Sequence, residues 1–239
     1  MIKEYCTKEN KIRMESGNSE FFKIPNEEKV IKVIKDGRES DIYRYLEDKG
    51  VDKYYPKYYG SERINKEEYI IIEYLRDFIN LLDYKNFGGG DIVGWVMNSL
   101  WDVIRKLHQV GVYHRDLKPS NIMIRFQKES IDIKIIDFGI SLTRDCIGSS
   151  KDWIRILERY YPCMVCEEYE RVLDKIIQRN KWNKKEIIRI LERSDKFQVL
   201  FIKNFLNDGR FYEKIKKNQA EHDSHSRSSS SFFASKQKF

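Results

Sequence analysis

Residues His114–Gly139, HRDLKPSNIMIRFQKESIDIKIIDFG, constrain this chain more than any other stretch. Two Ile-rich runs, Ile122–Phe126 and Ile131–Ile136, flank the polar Gln127–Ser130. Short apolar runs around a polar turn predict a small antiparallel hairpin. A hairpin brings its outer ends together. Asp116 and Asn121 precede the first strand and Asp137 follows the second, so all three are expected on one side of it.

That cluster suits a magnesium-bound polyphosphate. Mg²⁺ takes hard oxygen ligands in octahedral geometry, one or two from protein and the rest from phosphate and water. Asp137 and Asn121 offer such oxygens, Asp116 remains to accept a proton from an attacking hydroxyl, and Lys118 places a cation two residues away. Phosphoryl transfer needs this division of labour, because it asks for positioning and charge neutralisation rather than covalent chemistry.

His114-Arg115-Asp116-Leu117-Lys118-Pro119-Ser120-Asn121, followed by a hairpin and then Asp137-Phe138-Gly139, resembles the catalytic loop and metal-binding loop of eukaryotic-type protein kinases. A lone Asp-Phe-Gly is a weak signal, but the eight-residue loop at this distance from it is highly specific. The resemblance covers residues 12–160 and fades beyond. It implies an α+β, bilobal protein-kinase-like fold with a small β-rich N-lobe over residues 1–75 and a reduced helical C-lobe over 76–216. It also implies ATP and Mg²⁺ as cofactors, Asp116 and Lys118 as catalytic residues, and Asn121 and Asp137 as metal ligands.

Upstream, Lys29–Lys35 (KVIKVIK) alternates like a strand, with Val30, Lys32 and Ile34 on one face and Ile31, Val33 and Lys35 on the other. The resemblance nominates Lys32 as the cation on the α- and β-phosphates, with Lys35 as the alternative register, and Val30 as the roof over the adenine. Arg38–Asp48 predicts a short helix, since Glu39, Ile42, Tyr43 and Leu46 fall at i, i+3, i+4 and i+7. Glu39 is then the partner of Lys32, with only six residues between them. Glu68–Leu75 matches the strand leading into the hinge. On that alignment Ile72 is the gatekeeper, Glu73 and Leu75 offer backbone groups to the adenine edge, and Met123 floors the pocket. The glycine-rich loop is reduced: Glu15–Lys23 keeps Gly17 alone of three glycines, and an ordinary polar turn describes it equally well.

Gly88-Gly89-Gly90 reads as a joint, with Asp91 as N-cap of a helix running to Gln109. Val93, Val96, Met97, Leu100, Val103, Ile104 and Leu107 form its apolar stripe, and the Met and Trp residues there are expected in the core. After Gly139 the sequence departs from the family. No Ala-Pro-Glu occurs, and Asp152-Trp153 arrives after twelve residues, Ile140–Lys151, too few for the usual peptide-docking shelf. Asp152 is the expected brace of the catalytic-loop backbone. Short amphipathic helices are predicted at Trp153–Tyr160, Glu167–Arg179, Asn183–Glu192 and Phe197–Asn207. Residues 217–239 are polar and Ser-rich, unable to bury area, and are expected to stay disordered.

Composition sets the remaining bounds. A chain of 239 residues with 41% hydrophobic residues can bury the core of one large domain or two small lobes. No run of 18 apolar residues predicts a membrane span, and MIKEYCTKENKIR holds no apolar signal-peptide core, so a cytoplasmic or nuclear setting is expected. Cys163-Met-Val-Cys166 has metal-site spacing but no second pair, and small buried residues of a helical lobe are the plainer account. The net charge of +7 biases the chain toward acidic partners, a protein substrate in the first place. Basic and acidic residues are mixed along most elements, which disfavours nucleic acid. The expected activity is ATP- and Mg²⁺-dependent transfer to Ser/Thr hydroxyls of proteins. A small-molecule hydroxyl kinase of related fold, or a pseudokinase scaffold, is the alternative. Oligomeric state is not legible.

Overall fold

The computed structural model describes residues 2–12, 19–35, 38–84, 90–128, 130–160, 167–179 and 183–207. Gly17, Cys163, Cys166 and the Ser-rich tail lie outside them.

Short strands rich in β-branched and aromatic residues build the N-terminal half. Strands β1 (Lys11–Ile12), β2 (Glu20–Lys23) and β3 (Lys29–Lys35) form an antiparallel meander. Helix α1 (Glu39–Asp48) follows, then β4 (Tyr58–Ile64) and β5 (Glu67–Glu73). The sheet order is β1-β2-β3-β5-β4. The period of two expected for β3 holds: Val30 and Ile34 join the main core, while Ile31 and Val33 pack with Phe22, Ile24 and Tyr69 on the other face. Helix α1 turns Ile42, Tyr43 and Leu46 inward, as their spacing predicts.

After the short strand β6 (Ile79–Asn80), helix α2 (Gly90–Gln109) carries the central stripe of the second half. Val96, Met97, Leu100, Val103, Ile104 and Leu107 are buried as expected, but Trp95 is 46% exposed. It sits beside the stripe rather than on it, so it is not a core residue. Gly111 ends the helix at φ +83°, where an added Cβ would lie 2.8 Å from the Arg144 Cβ; a side chain there is excluded by both conformation and space.

Strand β7 (Val112–Tyr113) leads into the catalytic-loop motif, and β8 (Ile122–Phe126) pairs with β9 (Ile131–Ile135) in the expected hairpin. Strand β6 adds to its edge, and β10 (Leu142–Thr143) pairs with β7. Helices α3 (Asp152–Arg159), α4 (Glu167–Arg179) and α5 (Lys184–Asn207) complete the chain. Where two helices were expected over 183–207, one continuous helix stands. The fold is α+β and bilobal, with a β-rich N-terminal lobe and a helical C-terminal one. Among the described residues no helix is long and apolar enough to cross a membrane.

Candidate active site

Between the two lobes, side chains distant in sequence meet in two groups. In the first, Lys32 on β3 lies 2.6 Å from Glu39 on α1 and 2.9 Å from Asp137. Lys32 and Glu39 are both buried. The second oxygen of Glu39 accepts the Phe138 N–H at 3.1 Å, so one carboxylate orients both the lysine and the loop that carries Asp137. Burial by itself would lower the Lys32 pKa, but Glu39 and Asp137 outweigh it and hold the ammonium above its usual range. Burial likewise pushes the Asp137 carboxyl up, and Lys32 more than cancels this, leaving it below the ordinary value and ionised at neutral pH. Lys118 adds to the same lowering, which puts its charge within reach of Asp137.

The second group is centred on Asp116. Its Oδ2 accepts from Lys118 Nζ at 2.8 Å and from Asn121 Nδ2 at 3.0 Å, and Asn121 Nδ2 also reaches the Asp116 carbonyl at 2.8 Å. Its Oδ1 is buried and has no hydrogen-bond partner among the described residues. Such a group is costly unless something comes to meet it. With the Asn121 amide nitrogen engaged by Asp116, its oxygen is the atom that can serve a cation. Asn121 is tied to the far end of the hairpin by its carbonyl, which accepts the Ile136 N–H at 3.0 Å.

Phe138 locks the two groups together. It packs edge-on to Tyr43 of α1 at 5.5 Å and to His114 at 4.9 Å. Burying a ring of this size contributes about 2 kcal/mol. His114 accepts the Asp116 N–H through Nδ1 and faces the Ile136 carbonyl through Nε2. Burial depresses its pKa, keeping the imidazole neutral, as these two bonds require.

The remaining expected residues take these places. Val30 and Ile72 are register partners on β3 and β5, both buried. The Glu73 N–H is held by the Lys57 carbonyl, and the Glu73 carboxylate meets Lys134 at 2.5 Å, bridging the lobes. The Leu75 carbonyl accepts the Phe78 N–H, so two of the backbone groups expected to meet an adenine edge are already occupied. Met123 lies on β8, partly buried, its sulfur 3.7 Å from Asn80 Nδ2. Lys32 is the lysine that meets Glu39 and Asp137, and the side chain of Lys35, the alternative register, lies outside what the structure describes.

One expectation fails. Asp152 does not brace the catalytic loop; it forms a half-exposed ion pair with Arg38 at 2.7 Å. The brace is Asp195, in the middle of α5. It is 1% exposed, and its carboxylate accepts the His114 N–H at 2.9 Å and the Arg115 N–H at 2.7 Å, with His108 Nε2 at 2.9 Å. The stretch from Gly139 to the bracing helix is therefore not short, because α3 and α4 lie within it. Sequence reasoning missed Asp195 because a polar Arg193-Ser194-Asp195-Lys196 looks like a break between helices. The signal was there: Ile187, Ile190, Leu191, Ser194, Asp195, Gln198, Val199 and Ile202 keep helical spacing without interruption, and all are buried.

Arg115 is fully buried at φ +71°, a conformation that non-glycine residues hold only under outside constraint. Its guanidinium donates to the Ile140 carbonyl at 2.8 Å and to the Tyr160 carbonyl. Ser141 and Thr143 are buried, Ser141 donating to the His114 carbonyl, whereas Ser149 and Ser150 are exposed.

The comparisons with known proteins agree with this geometry. The protein kinase domain model matches residues 4–153. Stress-activated protein kinase JNK of Suberites domuncula is 38% identical over 71 residues, 30% of this chain and 18% of that protein. CDPK-related kinase 3 of Arabidopsis thaliana is 38% identical over 93 residues, 37% of this chain and 16% of the relative. Serine/threonine-protein kinase chk-2 of Caenorhabditis elegans is 36% identical over 84 residues, 33% and 18% of the two chains. The matched segments thus span less than a fifth of each relative. With a lysine–glutamate pair beneath a five-stranded sheet, a braced catalytic loop below it, and a family match over more than half its length, the chain belongs to the protein kinase family.

Proposed function

We propose that this chain transfers the γ-phosphoryl group of ATP to Ser or Thr hydroxyls of protein substrates. The observation that carries this is the buried, unpartnered Oδ1 of Asp116, beside an Oδ2 already held by Lys118 and Asn121. One oxygen is fixed and the other is left to take a hydrogen bond, which is what a base awaiting a substrate hydroxyl requires. Residues 1–75 and 76–216 act as the two lobes around the nucleotide.

The donor set fits Mg²⁺. One carboxylate, Asp137, and one amide oxygen, Asn121, would hold it, and no cluster of three or more His, Cys, Asp or Glu side chains competes among the described residues. When bound, the ion supplies charge neutralisation on the phosphates. Lys32, fixed by Glu39, neutralises the α- and β-phosphates, and Lys118 steadies the transferring group. Val30, Ile72 and Met123 enclose the base, with its edge toward the backbone groups of Glu73 and Leu75 other than the Glu73 N–H and the Leu75 carbonyl. The net charge of +7 favours an acidic protein substrate.

Activity should not need phosphorylation after Gly139. Arg115, the cation that an added phosphate would seek, is buried and bonded to two carbonyls. Incubation with γ-labelled ATP, Mg²⁺ and generic protein substrates tests both points. Label is expected on Ser and Thr, at a rate within about twofold after phosphatase pretreatment, below the scale of any lost catalytic group. Label on small hydroxyl compounds alone favours a small-molecule kinase, and no transfer with retained ATP binding favours a scaffold.

A further inference from the structure

We propose that Gln198 is a positioning residue that fixes Asp116 for proton transfer. This rests on Asp116 being the base of the proposed reaction. Gln198 lies one turn beyond Asp195 on α5 and is fully buried. Its Oε1 accepts the Leu117 N–H at 2.7 Å, and its Nε2 donates to the Arg115 carbonyl at 2.8 Å.

Those two groups belong to the two peptide planes that meet at the Asp116 Cα. The plane through the Arg115 carbonyl turns with φ of Asp116, and the plane through the Leu117 N–H turns with its ψ. A single primary amide, donor on one side and acceptor on the other, therefore clamps both soft torsions of the base. Asp195 holds the preceding N–H groups, of His114 and Arg115, but touches neither of these planes' bonded atoms. Gln198 completes the hold on a loop whose Arg115 sits at φ +71° and needs outside constraint. No other natural side chain of this shape offers both a donor and an acceptor at every pH. A glutamate does so only when protonated.

This difference supplies the test. Full-length wild type, Gln198→Met and Gln198→Glu are compared for kcat, KM for ATP and ATP-binding stoichiometry across pH. The methionine variant fills the space without polar atoms, and kcat per ATP-binding chain is expected to fall about tenfold to a hundredfold with KM for ATP nearly unchanged, the scale of a small misplacement of a reacting group. In Gln198→Glu the ionised carboxylate faces the Arg115 carbonyl without a donor, so kcat is low at alkaline pH. As pH falls and the buried carboxyl takes a proton, it can again donate to that carbonyl and accept from Leu117, and kcat relative to wild type should rise several-fold. A merely structural glutamine changes the fraction of chains that bind ATP, not the turnover of those that do. The proposal is overturned if both variants keep wild-type kcat per ATP-binding chain, or if Gln198→Glu shows no relative recovery on acidification. A wild type that transfers no phosphate would instead remove Asp116 as base, and the proposal with it.

Discussion

Asp137→Ala is expected to lower phosphoryl transfer about a thousandfold while leaving the fold in place, the scale of losing one preorganised electrostatic partner. The side chain is 44% exposed and makes its ion pair with Lys32 from that half-open position, so no core packing leaves with it. The Lys32–Glu39 pair, at 2.6 Å and buried, remains to keep α1 against the sheet. Asp137 sits at φ +68°, where alanine is less comfortable than aspartate or asparagine. Asp137→Asn therefore belongs in the same experiment, since it keeps the backbone preference and removes the charge. Transfer rates and thermal melting of both variants check the expectation. Near-full activity in either would show that Asp137 does not serve the metal.

Asp195→Ala should destabilise the protein by about 3–5 kcal/mol, the cost of leaving two buried backbone N–H groups and a ring nitrogen without their shared acceptor. Two buried backbone N–H groups, of His114 and Arg115, and the ring nitrogen of His108 lose their common acceptor. Against a typical total of 5–15 kcal/mol, that is a large fraction. Denaturant unfolding followed by fluorescence should show the midpoint falling with little change in slope. A loss below about 1 kcal/mol would mean that the loop holds its shape without α5.

Much of this architecture was legible because local period decides it. The Ile-rich hairpin, the alternating KVIKVIK strand and the apolar stripe of α2 each declare the face they bury. Lys32, Glu39, Asp116, Asn121 and Asp137 were nominated by motif, and the structure gathers Lys32, Glu39 and Asp137 in one group and Asp116 and Asn121 in another. What local pattern hides is the use of polar residues as partners for remote backbone. Arg193-Ser194-Asp195-Lys196 looks like a helix break, yet Asp195 and Gln198 are buried in the same stripe as Ile190 and Val199 because the catalytic loop supplies donors and acceptors there. That contact spans some eighty positions, so the helical spacing around Asp195 declares a buried face but not the loop it meets. Assigning the brace to Asp152 followed from motif order alone, which an intervening pair of helices defeats. The unpartnered oxygen of Asp116 is likewise a fact of three dimensions.

The central claim is that Asp116 acts on a hydroxyl beside a nucleotide that other residues hold. Single-turnover transfer from γ-labelled ATP by Asp116→Asn, with ATP affinity measured on the same protein, tests it most directly. Transfer should fall by about a thousandfold, within the range a general base contributes, with ATP affinity nearly unchanged. Transfer at close to the wild-type rate would contradict it.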